Sequence, residues 1–112
     1  QLFVNVRTDG FLLGMPNALT ETLSRIEVYE NSGADGIFVP CITNRSDIRE
    51  VVNAIKLPVN VMCMPALPDF DELASLGVKR ISMGPFLFNQ TNNTIKKLAT
   101  TILEEKNFSS VL

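Results

Sequence analysis

A short apolar run followed by an amphipathic stretch recurs four times along this chain, and that alternation limits the folds open to it. The runs are Leu2–Val6, Gly36–Val39, Val59–Met62 and Arg80–Met83. Each is rich in Val, Ile, Phe or Met and only four or five residues long, which suits strands buried on both faces of a parallel sheet. After the first, the runs begin roughly 22 residues apart, enough for the crossover that joins parallel strands, but with little to spare. Alternation of this kind predicts an α/β fold with a parallel sheet. Four such units make half of an eight-stranded barrel; a small open, doubly wound sheet fits the same pattern.

The intervening stretches read as helices. Leu19, Leu23 and Ile26 form an apolar stripe at helical spacing, and Ser32-Gly33 stops it, with Gly33 suited to the left-handed position after a helix. A second helix begins near Asn44–Asp47, carries Ile48, Val51, Val52 and Ile55 on one face, and gives way at Pro58. Asp69 three residues before Glu72 is a capping-box pattern for a third, with Leu73 and Leu76 buried and Gly77 as its stop. The last places Ile95, Leu98, Ala99, Ile102 and Leu103 on one face, with Asn107–Leu112 as a frayed or docking tail. The motifs Ser32-Gly33-Ala34-Asp35-Gly36-Ile37 and Ser75-Leu76-Gly77-Val78-Lys79-Arg80-Ile81 repeat one device: a helix end, a glycine stop, then a buried strand.

Composition narrows the function classes. Ten basic against twelve acidic residues give a formal charge of −2, and no basic block is present to track a phosphate backbone, so nucleic acid is not an expected partner. No apolar run approaches the roughly 20 residues that span a bilayer, no segment has signal-peptide layout, and no membrane is expected as a partner. Two cysteines, Cys41 and Cys63, are too few for a disulfide scaffold, and the expected compartment is the cytoplasm. The absence of histidine removes imidazole chemistry from these residues. The sequence opens without Met on Leu2-Phe3-Val4, as though cut at the edge of a strand.

Four segments taken together resemble a known family: Asn5-Val6-Arg7-Thr8-Asp9, Gly33-Ala34-Asp35-Gly36-Ile37-Phe38-Val39-Pro40, Pro58-Val59-Asn60-Val61-Met62 and Gly77-Val78-Lys79-Arg80-Ile81-Ser82-Met83-Gly84-Pro85. In this order and at these separations they resemble the C-terminal half of the isocitrate lyase/phosphoenolpyruvate mutase superfamily. Within it they are most similar to the carboxyvinyl-carboxyphosphonate phosphorylmutase-like branch. The resemblance runs to about Phe108. It implies that residues 1–112 are strands five to eight of a TIM (β/α)8 barrel, with the N-terminal half missing. It also implies a lyase or isomerase that makes or breaks C–C or P–C bonds beside a carboxylate in small 2-oxo or phosphono acids. Mg2+ is the implied cofactor, its acidic ligands expected in the missing half. The catalytic cysteine of the family's lyases lies there too, so Cys41 and Cys63 inherit no role.

Arg7 is the leading candidate for both catalysis and substrate binding. It falls at the C-terminal end of the first strand, where barrel enzymes place their chemistry, and a guanidinium can grip a carboxylate or phosphonate with two parallel bonds. The resemblance implies substrate contact for it; the structural alternative is a pairing with Asp9. Asp9 is expected to orient Arg7 or cap the turn rather than act as a base, and Asn5 to fill the layer as a hydrogen bonder. Asn60 is a buried amide in an apolar strand, placed there either by a structural network or by a ligand. Ser82 and Gly84 follow the last strand and precede a helix, a setting that binds phosphate in many barrels, although a close-packed turn with Pro85 in the first helical turn explains them too. Arg80, at the start of that strand, is expected at the opposite rim. The sequence departs from the family's lyases at Met62 and Pro40, where those carry Asn and Glu, which argues for a substrate smaller or less charged than a tricarboxylate.

The expected function is therefore part of a Mg2+-dependent lyase or phosphonomutase for a small anionic substrate, inactive alone. The competing readings are a non-catalytic half-barrel that self-associates as a homo-oligomer, and a phosphate-binding module built on Gly84.

Overall fold

All four apolar runs contribute strands to one sheet: β1 (Asn5–Arg7), β2 (Gly36–Val39), β3 (Val59–Met62) and β4 (Arg80–Ser82). The computed structural model describes residues 2–112. The strand order is β1-β2-β3-β4 and every neighbouring pair is parallel. Between them lie α1 (Ala18–Asn31), α2 (Arg45–Ala54) and α3 (Phe70–Ser75).

The sequential order decides between the two architectures the pattern leaves open. A doubly wound sheet reverses its strand order and carries helices on both faces. Here one face alone is packed. Ile37, Val39, Val59 and Val61 form a single core with Ile26 of α1, Ile48 and Val51 of α2, and Leu73 of α3, all nearly or wholly inaccessible. Burying each such side chain contributes about 1.5–3 kcal/mol. Helices on one face of a parallel sheet in sequential order are half of a (β/α) barrel. The pairing adds a second sign. In-register partners run Arg7–Phe38, Phe38–Asn60 and Asn60–Arg80, so a row that starts at the last residue of β1 ends at the first residue of β4. Strands staggered in this way are what closure into a tilted barrel requires.

The helix ends explain the repeated glycine motif. After α1, Gly33 (φ 91°) donates to the Glu30 carbonyl and Ala34 to that of Tyr29. After α3, Gly77 (φ 93°) donates to Ala74 and Val78 to Leu73. Both are complete Schellman closures, each satisfying two carbonyls the helix leaves free and turning the chain into the next strand. At the start of α2, Asn44 Oδ1 accepts from Ser46 N at 2.9 Å and Asp47 N at 3.4 Å, an N-cap where the sequence places one.

Two boundaries and one cap differ from expectation. The first strand is Asn5–Arg7 rather than Leu2–Val6. Its ladder begins only where Asn5 meets Gly36. Val4 is held instead at the turn before β2: its N–H donates to Asp35 Oδ2 at 2.8 Å, and its carbonyl accepts from Asp35 and Gly36. The last strand stops at Ser82, one residue early. At α3 the capping box is half made. Asp69 Oδ1 accepts from Glu72 N at 2.9 Å, but the Glu72 carboxylate does not return to Asp69; it pairs with Arg45.

The chain divides into two compact units, Gln1–Ser82 and Met83–Leu112, where the sequence pattern reads as one. The second consists of α4 (Phe86–Glu105), preceded by Pro85 at its N-cap, and a 3-10 turn at Ser109–Val111. Lys106 closes α4 in the left-handed conformation (φ 54°), its N–H donating to the Ile102 carbonyl. The tail is ordered by local bonds rather than frayed: Ser109 N donates to Asn107 Oδ1 and Val111 N to the Phe108 carbonyl. No helix among the described residues is long and apolar enough to cross a membrane.

Candidate functional site

Side chains that alternate away from the core share the other face of the sheet, the one a closed barrel would turn inward. By register these are Asn5, Arg7, Gly36, Phe38, Asn60, Met62, Arg80 and Ser82. Three of the four candidate contact residues, Arg7, Asn60 and Ser82, therefore lie on one face. Arg7 and Asn60 lie on one row, separated by Phe38.

Arg7 ends β1, and its side chain is 55% exposed. Its partner is Asp9. Nη2 donates to Oδ2 at 3.2 Å, and Nε lies 2.8 Å from Oδ1. The Nε contact lacks the alignment of a directed bond, and Oδ1, shielded from solvent, has no hydrogen-bonding donor. The pair is thus held by one hydrogen bond and by charge. Asp9 stands where a residue that orients the guanidinium must stand, and Arg7 keeps much of its surface free at the strand's C-terminal end. Thr8, between them, is buried, and its N–H donates to the Phe38 carbonyl at 3.0 Å, carrying the β1–β2 ladder one residue further.

Asn60 is 6% exposed and bonds Ser82 in both directions: Nδ2 donates to the Ser82 hydroxyl at 3.0 Å, and that hydroxyl lies 3.2 Å from Oδ1. The Ser82 hydroxyl also lies 3.4 Å from the Val61 carbonyl. This network accounts for a buried amide that would otherwise be costly to hold in an apolar strand. It also commits Ser82 to β3. Asn5, expected to hydrogen-bond within its layer, does not: its Oδ1 is buried against Gly36 without a donor among the described residues. Gly84 (φ 54°) lies in the second unit, in the turn that leads to α4. Arg80, at the N-terminal end of β4, lies over the Phe3 ring at 5.1 Å, a cation–π contact.

Two features of the rim escape the sequence. Arg45, in the first turn of α2, makes a two-pronged pair with Glu72 of α3, with Nη2 2.7 Å from Oε2 and Nε donating to Oε1. Those bonds hold the Glu72 carboxyl below its ordinary range and raise the Arg45 guanidinium above its own. Nothing in the spacing of residues 45 and 72 signals the pair, since it depends on two crossovers landing side by side. The second is Cys41, which leaves β2 in a left-handed turn (φ 66°) that a non-glycine residue rarely adopts. A hollow of about 380 Å³ opens near this rim between Phe11, Met15, Pro16, Leu19 and Asp47; it does not include Arg7, whose surroundings are open. Among the described residues no three Asp, Glu, Cys or His side chains converge as a metal site.

Comparison with known proteins places this geometry. Residues 1–103 match the family described as phosphoenolpyruvate phosphomutase. Uncharacterized proteins of two Mycobacterium tuberculosis strains are each 38% identical over 84 residues, which is 75% of this chain and 32% of theirs. The chain thus spans about a third of the curated relatives it matches. A crystal structure from Burkholderia cenocepacia J2315 assigned as a phosphonomutase superposes with a TM-score of 0.82 at 39% identity, covering 88% of this chain and 42% of that one. A second from the same organism, assigned as a lyase/mutase, gives 0.83 at 33% identity, with 96% and 39% covered. A 2,3-dimethylmalate lyase of the PEP mutase/isocitrate lyase superfamily shares the fold, with a TM-score of 0.76 at 18% identity over 92% of this chain and 37% of that one.

Proposed function

The chain belongs to the phosphoenolpyruvate phosphomutase family, and from that premise we propose that it supplies the anion-anchoring side of a lyase or phosphonomutase active site. The reaction is making or breaking a C–C or P–C bond beside the carboxylate of a small 2-oxo or phosphono acid. The observation that carries this reading is Arg7: a half-exposed guanidinium at the C-terminal end of a barrel strand, steadied from one side by Asp9. Barrel enzymes work at that rim, and a steadied guanidinium binds a carboxylate or phosphonate with little loss of side-chain freedom.

The Mg2+ that the family implies does not fit these residues. Among the described residues no three acidic or sulfur ligands meet, and Asp9 is engaged by Arg7. Its ligands would have to come from residues other than these. What these residues do is bind and orient: Arg7 takes the anionic group, Asp9 sets the angle of Arg7, and the Asn60–Ser82 pair keeps the inner wall polar beside Phe38 and Met62. Because Ser82 is spent on Asn60, a phosphate site built on Ser82 and Gly84 has less support than an anion site built on Arg7.

Calorimetric titration of the full-length protein with phosphoenolpyruvate and with inorganic phosphate tests this. Arg7→Ala removes a charge-assisted contact of about 1.5–3 kcal/mol, so organic-acid binding should weaken roughly 10- to 100-fold. Unchanged organic-acid binding in that variant, or phosphate binding as tight as that of the organic acid, overturns the reading.

A further inference from the structure

Cys41 and Cys63 have no part in the chemistry proposed above, yet they follow the ends of two neighbouring strands at equal distance along the chain. Val39 of β2 is in register with Val61 of β3, and two residues beyond each lies a cysteine. Cys63 is still held by the sheet, its N–H donating to the Ser82 carbonyl at 2.7 Å. Cys41 occupies the turn that ends β2, and its left-handed backbone (φ 66°) frees its side chain from the alternation of the strand. Neighbouring strands lie about 4.8 Å apart and a disulfide needs a Cα separation of about 4.4–6.8 Å; the last paired residues, Val39 and Val61, stand at that spacing, and the bond requires the two loops to hold it for two residues more. Both thiols are free and half-buried, hence open to a small reagent.

We propose that Cys41 and Cys63 are a reversible dithiol–disulfide pair that ties the C-terminal ends of β2 and β3 together. The oxidant is a low-molecular-weight disulfide such as oxidised glutathione. One cysteine thiolate attacks a sulfur of the oxidant, forms a mixed disulfide and releases a small thiolate that takes up a proton. The second cysteine thiolate then attacks the protein sulfur of that mixed disulfide. The Cys41–Cys63 bond forms and a second small thiol leaves, so two protein thiols are oxidised as one small disulfide is reduced. The bond would fasten the loops after β2 and β3 at the rim where Arg7 ends β1. Its consequence for catalysis rests on the function proposed above; its formation does not.

The test is peptide mapping of the full-length protein after incubation with oxidised glutathione, blocking of remaining thiols and digestion without reductant. The expected product is a linked peptide pair containing Cys41 and Cys63, released by reductant and lost in Cys63→Ala. It should also be lost in Cys41→Gly, which suits the positive φ and so folds. Recovery of the two cysteines as blocked free thiols, or as separate mixed disulfides, overturns the proposal. If the linked pair forms while neither redox state binds an organic acid, the dithiol pair stands and the proposed function falls.

Discussion

Gly33 and Gly77 close their helices with the same pair of hydrogen bonds, yet they do not stand in the same surroundings. Both have a positive φ, 91° and 93°, where an L side chain costs about 1–2 kcal/mol. A Cβ on Gly33 would meet nothing within 4 Å, whereas one on Gly77 would lie 2.8 Å from Cγ1 of Val52 on α2. Gly33→Ala should therefore lose only the conformational part. Gly77→Ala should lose that and a further contribution of about 1–3 kcal/mol for overpacking. Urea unfolding of both variants measures the difference; equal losses would mean that Val52 swings aside at no cost. That both glycines stop helices is legible in the sequence, because a lone glycine before an apolar run has few other uses. That only one touches a neighbouring helix is not, since the contact joins residues 52 and 77 through tertiary packing. The same division holds at the candidate site. Arg7 is readable from its place at a strand's end, and its Asp9 partner from two residues' spacing. The Asn60–Ser82 bond needs the β3–β4 register, and Cys41's left-handed turn has no local signal at all.

At the scale of elements, the strands paired along both edges match their predicted bounds and the edge strands do not. β2 and β3 lie between two partners, so their apolar runs coincide with their ladders. β1 and β4 have one partner each among the described residues, and there the register, not hydrophobicity, sets the length: Leu2 and Phe3 are apolar but precede the Asn5–Gly36 pairing. The pairing of α2 with α3 shows the same dependence. The sequence assigns Glu72 to the cap of its own helix, but in the fold Arg45 outbids the local N–H because a guanidinium offers charge and two donors together. This has a pH signature. The Glu72 carboxyl, bonded by Arg45, sits below its ordinary range in the folded chain. Its contribution to stability is thus full above the unfolded carboxyl's pKa and is lost as pH falls through the lower folded value. Glu72→Gln should be less stable than the parent at neutral pH and converge with it in acid, the gap narrowing also with added salt because the pair is exposed. Denaturant midpoints at pH 7 and pH 3 measure this. A gap that persists in acid would assign the effect to packing rather than charge.

At the scale of the whole molecule, the first unit is a barrel segment whose far edges, on β1 and β4, carry no strand partner among the described residues. Both edges run in the same direction, which restricts how they can be satisfied. A two-fold axis parallel to the strands brings β4 of one copy beside β1 of another, and β1 beside β4, with all eight strands parallel and no edge left over. That is a closed, self-limiting contact of the kind symmetric dimers use. Three-residue edges supply few hydrogen bonds on their own, so the drive must come mainly from covering the inward face, where Phe38 and Met62 stand among polar neighbours. The 112-residue polypeptide prepared by itself should therefore associate, and sedimentation should show a dimer whose fraction rises with concentration. Phe38→Glu places a charge on the inward row without touching the core on the other face. It should shift the polypeptide to monomer while leaving its helical signal intact. A polypeptide that stays monomeric at every concentration, or a dimer indifferent to Phe38→Glu, would mean that the edges are too short to template closure. In a chain of the relatives' length the same edges would pair with strands of that chain, and the Phe38 substitution should then cost stability rather than association. Comparing its effect in the two lengths distinguishes an inward face that seeks any partner from one shaped for its own.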